Sequence, residues 1–213
     1  MPVHAKICGL STPDTLDAAI AGGASHVGFV HFAKSPRHLD VERLSGLAAR
    51  VPSRVQKVGV IVDADDETIM ALLRAGGLDV IQLHGKESPE RVAAVKRLTG
   101  VEIWKAVAVR TSADLRDTAR FAGAADRLLY DAKPPEGADL PGGLGIRFDW
   151  ELLRGVRHVL PWALSGGLEA SSLAEAVQIT GATLVDVSSG VESAPGIKDV
   201  DKIAQFLKAT TLL

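Results

Sequence analysis

The sequence predicts an α/β protein of the (βα)8 class, a TIM barrel in which eight parallel strands form a closed sheet surrounded by helices. Two observations support this fold class. Eight short apolar runs recur along the chain, and amphipathic segments with helix-start signals separate them. The 213 residues allow about 27 residues for each strand–helix unit, near the lower size limit of such barrels. We therefore expect a single barrel domain over residues 1–213.

The predicted strands are rich in Val, Ile and Leu and are too short to be helices. They are apolar throughout rather than alternating, which is typical of parallel strands covered by helices. An open doubly wound sheet is the competing architecture, but it usually has fewer strands, and no Gly-x-Gly-x-x-Gly turn follows the first run. The eight runs lie near residues 5–8, 26–31, 56–62, 80–84, 102–109, 127–132, 162–165 and 184–188.

Five helix starts can be located from capping residues. Thr12-Pro13 and Ser88-Pro89 each place a hydroxyl before a proline at the first helical position. Asp40, Asp65 and Asp199 each stand just before an apolar stripe, which is also typical of an N-cap.

The repeat is interrupted once, between Lys133 and Phe148. Residues 134–145 contain three prolines and four glycines, so we expect irregular structure there. In a barrel this segment follows the sixth strand and lies at the carboxyl-terminal mouth. Long loops at that position often close over a ligand, and a tolerated surface insertion is the alternative.

Composition excludes several functional classes. The 24 basic and 26 acidic residues give a net charge of −2, and there is no basic stripe with interleaved aromatics, so we expect no nucleic-acid partner. A single cysteine cannot form an internal disulfide, which favours a reducing compartment. No apolar stretch has signal-peptide or membrane-spanning length. We expect a cytoplasmic protein without a membrane partner.

Active sites of such barrels form at the carboxyl ends of the strands. A thiol and a carboxyl at separate strand ends, Cys8 and Asp131, could act as base and acid on one substrate. The polar residues predicted at these ends are Cys8, His31, Asp63, His84, Arg110, Asp131, Lys133, Ser165, Ser188 and Ser189.

Three other interpretations of these residues remain open at this point. Cys8 alone is typical of a small buried hydrophobe. A nucleophilic Cys8–His84 pair is conceivable but lacks an evident third group to orient it. Cys8, His84 and Asp131 could meet at a metal, but they lack the close spacing of zinc ligands, so we expect no metal and no cofactor.

Two late strand ends are suited to phosphate. Ser165-Gly166-Gly167-Leu168 follows the seventh strand, and Ser188-Ser189-Gly190-Val191 follows the eighth. Glycines let backbone amides approach an anion closely, and barrels commonly bind phosphate at these two loops. We therefore expect a small phosphorylated ligand.

Seven segments occur in order along the chain: Lys6-Ile7-Cys8-Gly9-Leu10, Ser35-Pro36-Arg37, Gln82-Leu83-His84-Gly85, Asp131-Ala132-Lys133, Phe148-Asp149-Trp150, Ser165-Gly166-Gly167-Leu168 and Asp186-Val187-Ser188-Ser189-Gly190-Val191-Glu192. Together these segments resemble the phosphoribosylanthranilate isomerase family across nearly the whole chain. The resemblance implies an eightfold barrel that catalyses an Amadori rearrangement in tryptophan biosynthesis. The substrate would be N-(5'-phosphoribosyl)anthranilate and the product 1-(2-carboxyphenylamino)-1-deoxyribulose 5-phosphate.

The resemblance also implies residue roles. Asp131 would be the general acid and Cys8 the general base, which calls for a raised pKa at the carboxyl and a lowered pKa at the thiol. Arg37 would bind the anthranilate carboxylate, His84 would line the anthranilate side, and Asp186 would contact the sugar or the bridging amine. The phosphate would be held by Gly166, Gly167, Ser189 and Gly190.

This chain departs from the family pattern before Phe148. Many members carry Gly-Gly-Thr-Gly there, whereas this chain has Leu144 at the threonine position after a longer proline-rich stretch. The nearest alternatives are a histidine-pathway or bifunctional phosphoribosyl isomerase, and a barrel that binds a sugar phosphate without catalysis. We expect a monomer or a homodimer.

Overall fold

Eight parallel strands close into a barrel in the order β1 to β8, as predicted. The structure is a computed structural model, and it describes residues 2–135, 137–138 and 140–213. The strands are β1 His4–Cys8, β2 His26–His31, β3 Gln56–Ile61, β4 Val80–Leu83, β5 Glu102–Val109, β6 Arg127–Ala132, β7 Trp162–Leu164 and β8 Leu184–Val187.

Helices connect most of these strands on the outside of the barrel. Over the described residues they are α1 Pro13–Ala21, α2 Val41–Ala48, α3 Asp66–Gly76, α4 Pro89–Thr99, α5 Ser112–Asp117, α6 Leu173–Thr180 and α7 Val200–Thr210. None of these described helices has both the length and the apolar character needed to cross a membrane.

The predicted helix starts are confirmed. The side chains of Asp40, Asp65, Ser88 and Asp199 each accept a hydrogen bond from a backbone N–H of the first turn. Helix α1 also begins at the predicted proline, but the expected Thr12 cap bond is not made. Instead the Thr12 hydroxyl lies 2.8 Å from the Thr15 hydroxyl.

The prediction of eight regular strand–helix units is wrong for the sixth unit, which has no α-helix among its described residues. The eighth unit has its helix, but additional elements precede it. After β6 and its loop, a 3-10 turn at Trp150–Leu153 stands where a helix would be. The turn ends at Arg154, whose ψ of 118° is extended, and Gly155 follows with a φ of 66°. After β8, a 3-10 turn at Ser189–Val191 leads into an antiparallel hairpin, β9 Glu192–Ala194 and β10 Ile197–Lys198, before α7.

The core has two parts. The larger lies between sheet and helices and contains residues such as Leu16, Leu44 and Phe206. The smaller fills the barrel interior, where alternate strand positions point inward, and its residues are Cys8, Val30, Val58, Val60, Val80, Trp104, Ala106, Leu129, Ala163 and Leu184. Trp104 is fully buried within this interior cluster.

The register of the strands places a pair of oppositely charged side chains inside the barrel. Lys6 on β1 lies opposite Asp186 on β8, and Cys8 lies opposite Gly28 on β2. Because Lys6 and Cys8 are two residues apart on one strand, both side chains point into the barrel, toward its carboxyl-terminal mouth.

Candidate active site

A recess of about 840 Å³, counted out to its open mouth, lies at the carboxyl ends of the strands. All nine predicted site residues line it: Cys8, Arg37, His84, Asp131, Gly166, Gly167, Asp186, Ser189 and Gly190. Four of the other polar residues predicted at strand ends, His31, Asp63, Arg110 and Lys133, are not among its lining residues.

Asp131 ends β6 and is 5% exposed. Its Oδ1 accepts the backbone N–H of Ala132 at 2.8 Å, and its Oδ2 lies 3.3 Å from His84 Nε2. The other ring nitrogen of His84, Nδ1, is 2.9 Å from Gln82 Nε2. The sequence suggests only that His84 lines the pocket, whereas the structure places it directly against the carboxyl.

A buried lysine fixes the turn that carries His84. Lys105 Nζ donates to the carbonyls of Leu83 and Gly85 at 3.2 and 2.8 Å, on either side of His84. Its charge is balanced by Glu87, 2.9 Å away, whose carboxylate also accepts the Gly85 N–H. The imidazole is therefore held from β5 as well as from its own strand.

Cys8 ends β1 and is buried, 6% exposed. Burial raises the pKa of its thiol, although the neighbouring Lys6 ammonium acts to lower it. The expected lowered pKa is thus wrong, because desolvation of the thiolate outweighs the attraction of the ammonium. Lys6 itself pairs with Asp186 at 2.8 Å, and Ser165 Oγ donates to the second Asp186 oxygen at 3.2 Å.

The space beside the thiol exists because β2 has a glycine there. A Cβ on Gly28 would lie 2.9 Å from Cys8 Sγ and 3.1 Å from Lys6 Cε. Both distances are shorter than ordinary van der Waals contact, so any larger residue would displace the thiol or the ammonium.

Arg37, on the loop after β2, is 5% exposed and already holds a carboxylate. Its Nε and Nη2 donate to the two oxygens of Glu192 at 2.6 and 2.8 Å. Lys198 Nζ donates to the same carboxylate at 2.6 Å. Burial acts to raise the pKa of Glu192, but hydrogen bonds and charge from Arg37 and Lys198 prevail and lower it.

Lys198 was not predicted as a site residue, and Glu192 appeared only as the last letter of a motif. Both belong to the β9–β10 hairpin. Lys198 Nζ also donates to the carbonyl and the hydroxyl of Ser188, at 2.9 and 3.1 Å. The Ser188 hydroxyl lies 3.2 Å from the Cys8 carbonyl, to which it donates. The hairpin therefore connects the arginine with the strand that carries the thiol.

The two glycine loops lie side by side at the carboxyl ends of β7 and β8. Gly166 and Gly167 have φ values of 87° and 65°, in the region that L side chains rarely adopt. A Cβ on Gly190 would collide with the carbonyl oxygen of Leu168, so the loop after β8 packs directly on the loop after β7. This is the arrangement of backbone-lined phosphate sites in barrels.

The proline- and glycine-rich segment lies over the mouth of the recess. Leu140 to Ile146 are among its lining residues, and the Gly143 carbonyl accepts from Arg37 Nη2 at 3.1 Å. A Cβ on Gly142 would lie 2.5 Å from Asp131 Oδ2 and 2.6 Å from His84 Nε2. Residues 136 and 139 of the predicted loop lie outside the described residues, and the lid motion stays a prediction.

Comparison with known proteins identifies the family. The family model described as N-(5'phosphoribosyl)anthranilate (PRA) isomerase matches residues 5–209. The chain belongs to the phosphoribosylanthranilate isomerase family. The resemblance drawn from the sequence motifs is thereby confirmed.

Relatives agree over the full length. A protein from Zymomonas mobilis subsp. pomaceae, named N-(5'-phosphoribosyl)anthranilate isomerase, is 56% identical over 214 residues, covering 100% of each chain. A crystal structure of phosphoribosyl anthranilate isomerase with reduced 1-(o-carboxyphenylamino)-1-deoxyribulose 5-phosphate is 31% identical, with a TM-score of 0.86, and the match covers 99% of this chain and 100% of that one. A structure of monomers of the dimeric isomerase from Thermotoga maritima is also 31% identical, with a TM-score of 0.85 and the same coverage.

Proposed function

We propose that this protein converts N-(5'-phosphoribosyl)anthranilate into 1-(2-carboxyphenylamino)-1-deoxyribulose 5-phosphate, with Asp131 as general acid and Cys8 as general base. The observation that carries the proposal is that these two buried groups, from β6 and β1, line one recess together with an arginine and two glycine loops. The reaction moves one proton onto the substrate and removes another from a neighbouring atom, so an acid and a base suffice.

In the first step Asp131 delivers a proton to the ribose ring oxygen. The bond between that oxygen and C1 breaks, and the lone pair of the bridging nitrogen forms an iminium with C1. His84, 3.3 Å from the carboxyl, positions Asp131. It remains beside the carboxylate that forms once Asp131 has transferred its proton. Gly142 closes over the same carboxyl and limits access of water to the proton being transferred.

In the second step Cys8 acts as the thiolate: it first gives up its own proton to solvent and then removes the C2 proton. The electron pair of the broken C–H bond forms the C1–C2 double bond of an enolamine and neutralises the iminium, and the enolamine then tautomerises to the ketone. The raised pKa of the thiol makes its conjugate base stronger, and Lys6 stabilises the thiolate when it forms. A base of this kind is suited to a carbon acid that the adjacent iminium has already activated.

The two ends of the substrate bind to other groups that line the same recess. Arg37 binds the anthranilate carboxylate, and the backbone around Gly166, Gly167, Ser189 and Gly190 binds the phosphate. Asp186 also lines the recess, so it contacts the sugar or the bridging amine in addition to its ion pair with Lys6.

The test is a fluorescence assay of phosphoribosylanthranilate consumption by the wild type and by the C8A and D131N variants. Each substitution should lower kcat by about 10²- to 10⁴-fold, the usual contribution of a general acid or base. Asp63→Asn is the matched control, because Asp63 is an exposed carboxylate that follows β3 but does not line the recess. Wild-type turnover by either variant would refute that residue's role.

The same assay separates the alternative functions. The histidine-pathway substrate is offered in parallel, and turnover of that substrate alone would refute the proposal, while turnover of both would make the enzyme bifunctional. Binding of the substrate without any turnover would support the non-catalytic barrel.

For assembly and location, we propose a cytoplasmic monomer or homodimer. The dimeric relative from Thermotoga maritima supports the homodimer. Analytical ultracentrifugation at micromolar concentration measures the mass directly.

A further inference from the structure

Arg37 is already paired with a carboxylate of the protein, which should weaken its attraction for a substrate carboxylate. Arg37 donates two hydrogen bonds to Glu192, in the bidentate geometry that an arginine uses for a substrate carboxylate. Taken alone this pair has no net charge, and a neutral pair attracts a second carboxylate weakly. The Glu192 carboxylate is itself buried, so water does little to screen it.

Lys198 changes the charge of this group. It lies 2.6 Å from Glu192 Oε1 and is almost completely buried, with its side chain 1% exposed. Arg37 and Lys198 are two cations that share one anion, so the cluster of the three residues carries a net charge of +1. Within the part of the chain that the structure describes, Glu192 is the only carboxylate in ion-pair contact with either cation.

The geometry directs this charge toward the recess. Lys198 does not line the recess, whereas Arg37 does. Arg37 Nη1 makes no hydrogen bond to any described residue, and it lies beneath Gly143 of the covering loop, where a Cβ would be 2.7 Å away. The free edge of the guanidinium therefore faces the space where the aromatic end of the substrate is proposed to bind.

We propose that Lys198 is a specificity-determining residue: by neutralising Glu192 it leaves Arg37 with an uncompensated positive charge for the anthranilate carboxylate. It acts through Glu192 and Arg37 and does not touch substrate. This inference rests on the proposed function. The β9–β10 hairpin thereby contributes to selectivity for substrates whose aromatic amine carries a carboxylate.

The experiment compares two substrates in the K198M variant and the wild type. One is phosphoribosylanthranilate. The other is phosphoribosylaniline, which differs from the first only in lacking the carboxylate and is made by condensing aniline with ribose 5-phosphate. The measured quantity is the ratio of kcat/KM for the first substrate to that for the second. In K198M this ratio should fall about tenfold, mainly through KM for phosphoribosylanthranilate, which is the scale of one weakened charge-assisted contact.

Lys202→Met is the matched control. Lys202 lies on α7 and donates to the backbone carbonyl of Glu192 at 2.7 Å, so its removal changes the net charge equally without touching the carboxylate. The ratio should stay at its wild-type value. The K198M/E192Q double variant restores a net charge of +1 to the cluster, and it should recover most of the ratio. Lys198→Gln, which keeps a donor for Ser188, serves as the second variant if K198M does not fold.

The outcomes separate charge from structure. An equal loss of kcat/KM for both substrates in K198M or K198Q, or no recovery in the double variant, would overturn the inference and leave Lys198 as a support for the Ser188 loop. A wild-type protein that does not turn over phosphoribosylanthranilate would refute the proposed function instead.

Discussion

Replacing Lys6 with methionine should destabilise the protein severely. Lys6 is 0% exposed and pairs at 2.8 Å with Asp186, which is 4% exposed. Methionine fills much of the space of the lysine stem but leaves the Asp186 carboxylate buried without a counter-charge, since Ser165 supplies only one hydrogen bond. Breaking a buried pair in this way costs about 3–5 kcal/mol, a large part of the total stability of a typical domain.

Urea unfolding followed by circular dichroism measures this loss. We expect a lower midpoint with an unchanged slope, because the folded state keeps its compactness. The K6M/D186N double variant is the control: it removes both charges, and it should recover at least about 2 kcal/mol relative to K6M.

Cysteine alkylation gives a second, independent readout of the same substitution. Cys8 is the only cysteine, so iodoacetamide labels one site. Because Lys6 lowers the pKa of the thiol, its removal should raise that pKa, so the pH at which alkylation reaches half its maximal rate should move upward even where destabilisation speeds alkylation overall. In the urea experiment, an unfolding free energy of K6M less than about 1 kcal/mol below that of the wild type would refute the explanation by an uncompensated Asp186 charge. A K6M/D186N variant no more stable than K6M would refute it as well.

Two further outcomes are expected. Arg37→Met should raise KM for phosphoribosylanthranilate about tenfold or more while kcat changes less, and an unchanged KM would contradict the carboxylate contact. Burial lowers the pKa of His26 from 6.5 to about 3, with smaller contributions from Lys6 and Arg127. The folded state therefore binds this proton more weakly than the unfolded state, and the stability present at pH 7 is lost as pH falls from 6.5 toward 3. His26→Gln should reduce the difference in unfolding free energy between pH 7 and pH 4.5 by about 2 kcal/mol, and equal pH dependence in both proteins would contradict the assignment.

The barrel could be predicted from the sequence because each strand is a continuous apolar run and each predicted helix start carries a capping residue. These are local signals, and residues such as Asp65 and Ser88 act within their own first turn. The position of the recess followed from the same pattern, since the carboxyl ends of parallel strands meet at one end of the barrel.

The hairpin could not be predicted in the same way. Its strands have three and two residues, too few for any periodicity, and the turn Pro195-Gly196 is the only local signal. Lys198 and Glu192 are distant from Arg37 in sequence, so their contact depends on the closed barrel. The pKa direction at Cys8 also depends on tertiary structure, because a motif does not report how deeply its thiol is buried.

The pairing of Lys6 with Asp186 joins the first strand of the barrel to the last. A growing or partly unfolded chain that lacks β8 has no counter-ion for Lys6 and lacks the second of the two glycine loops, although Cys8 is present from the start. The active site is therefore completed in one step, when β1 pairs with β8 and the barrel closes. Reactivity of its single thiol can serve as a reporter of complete folding.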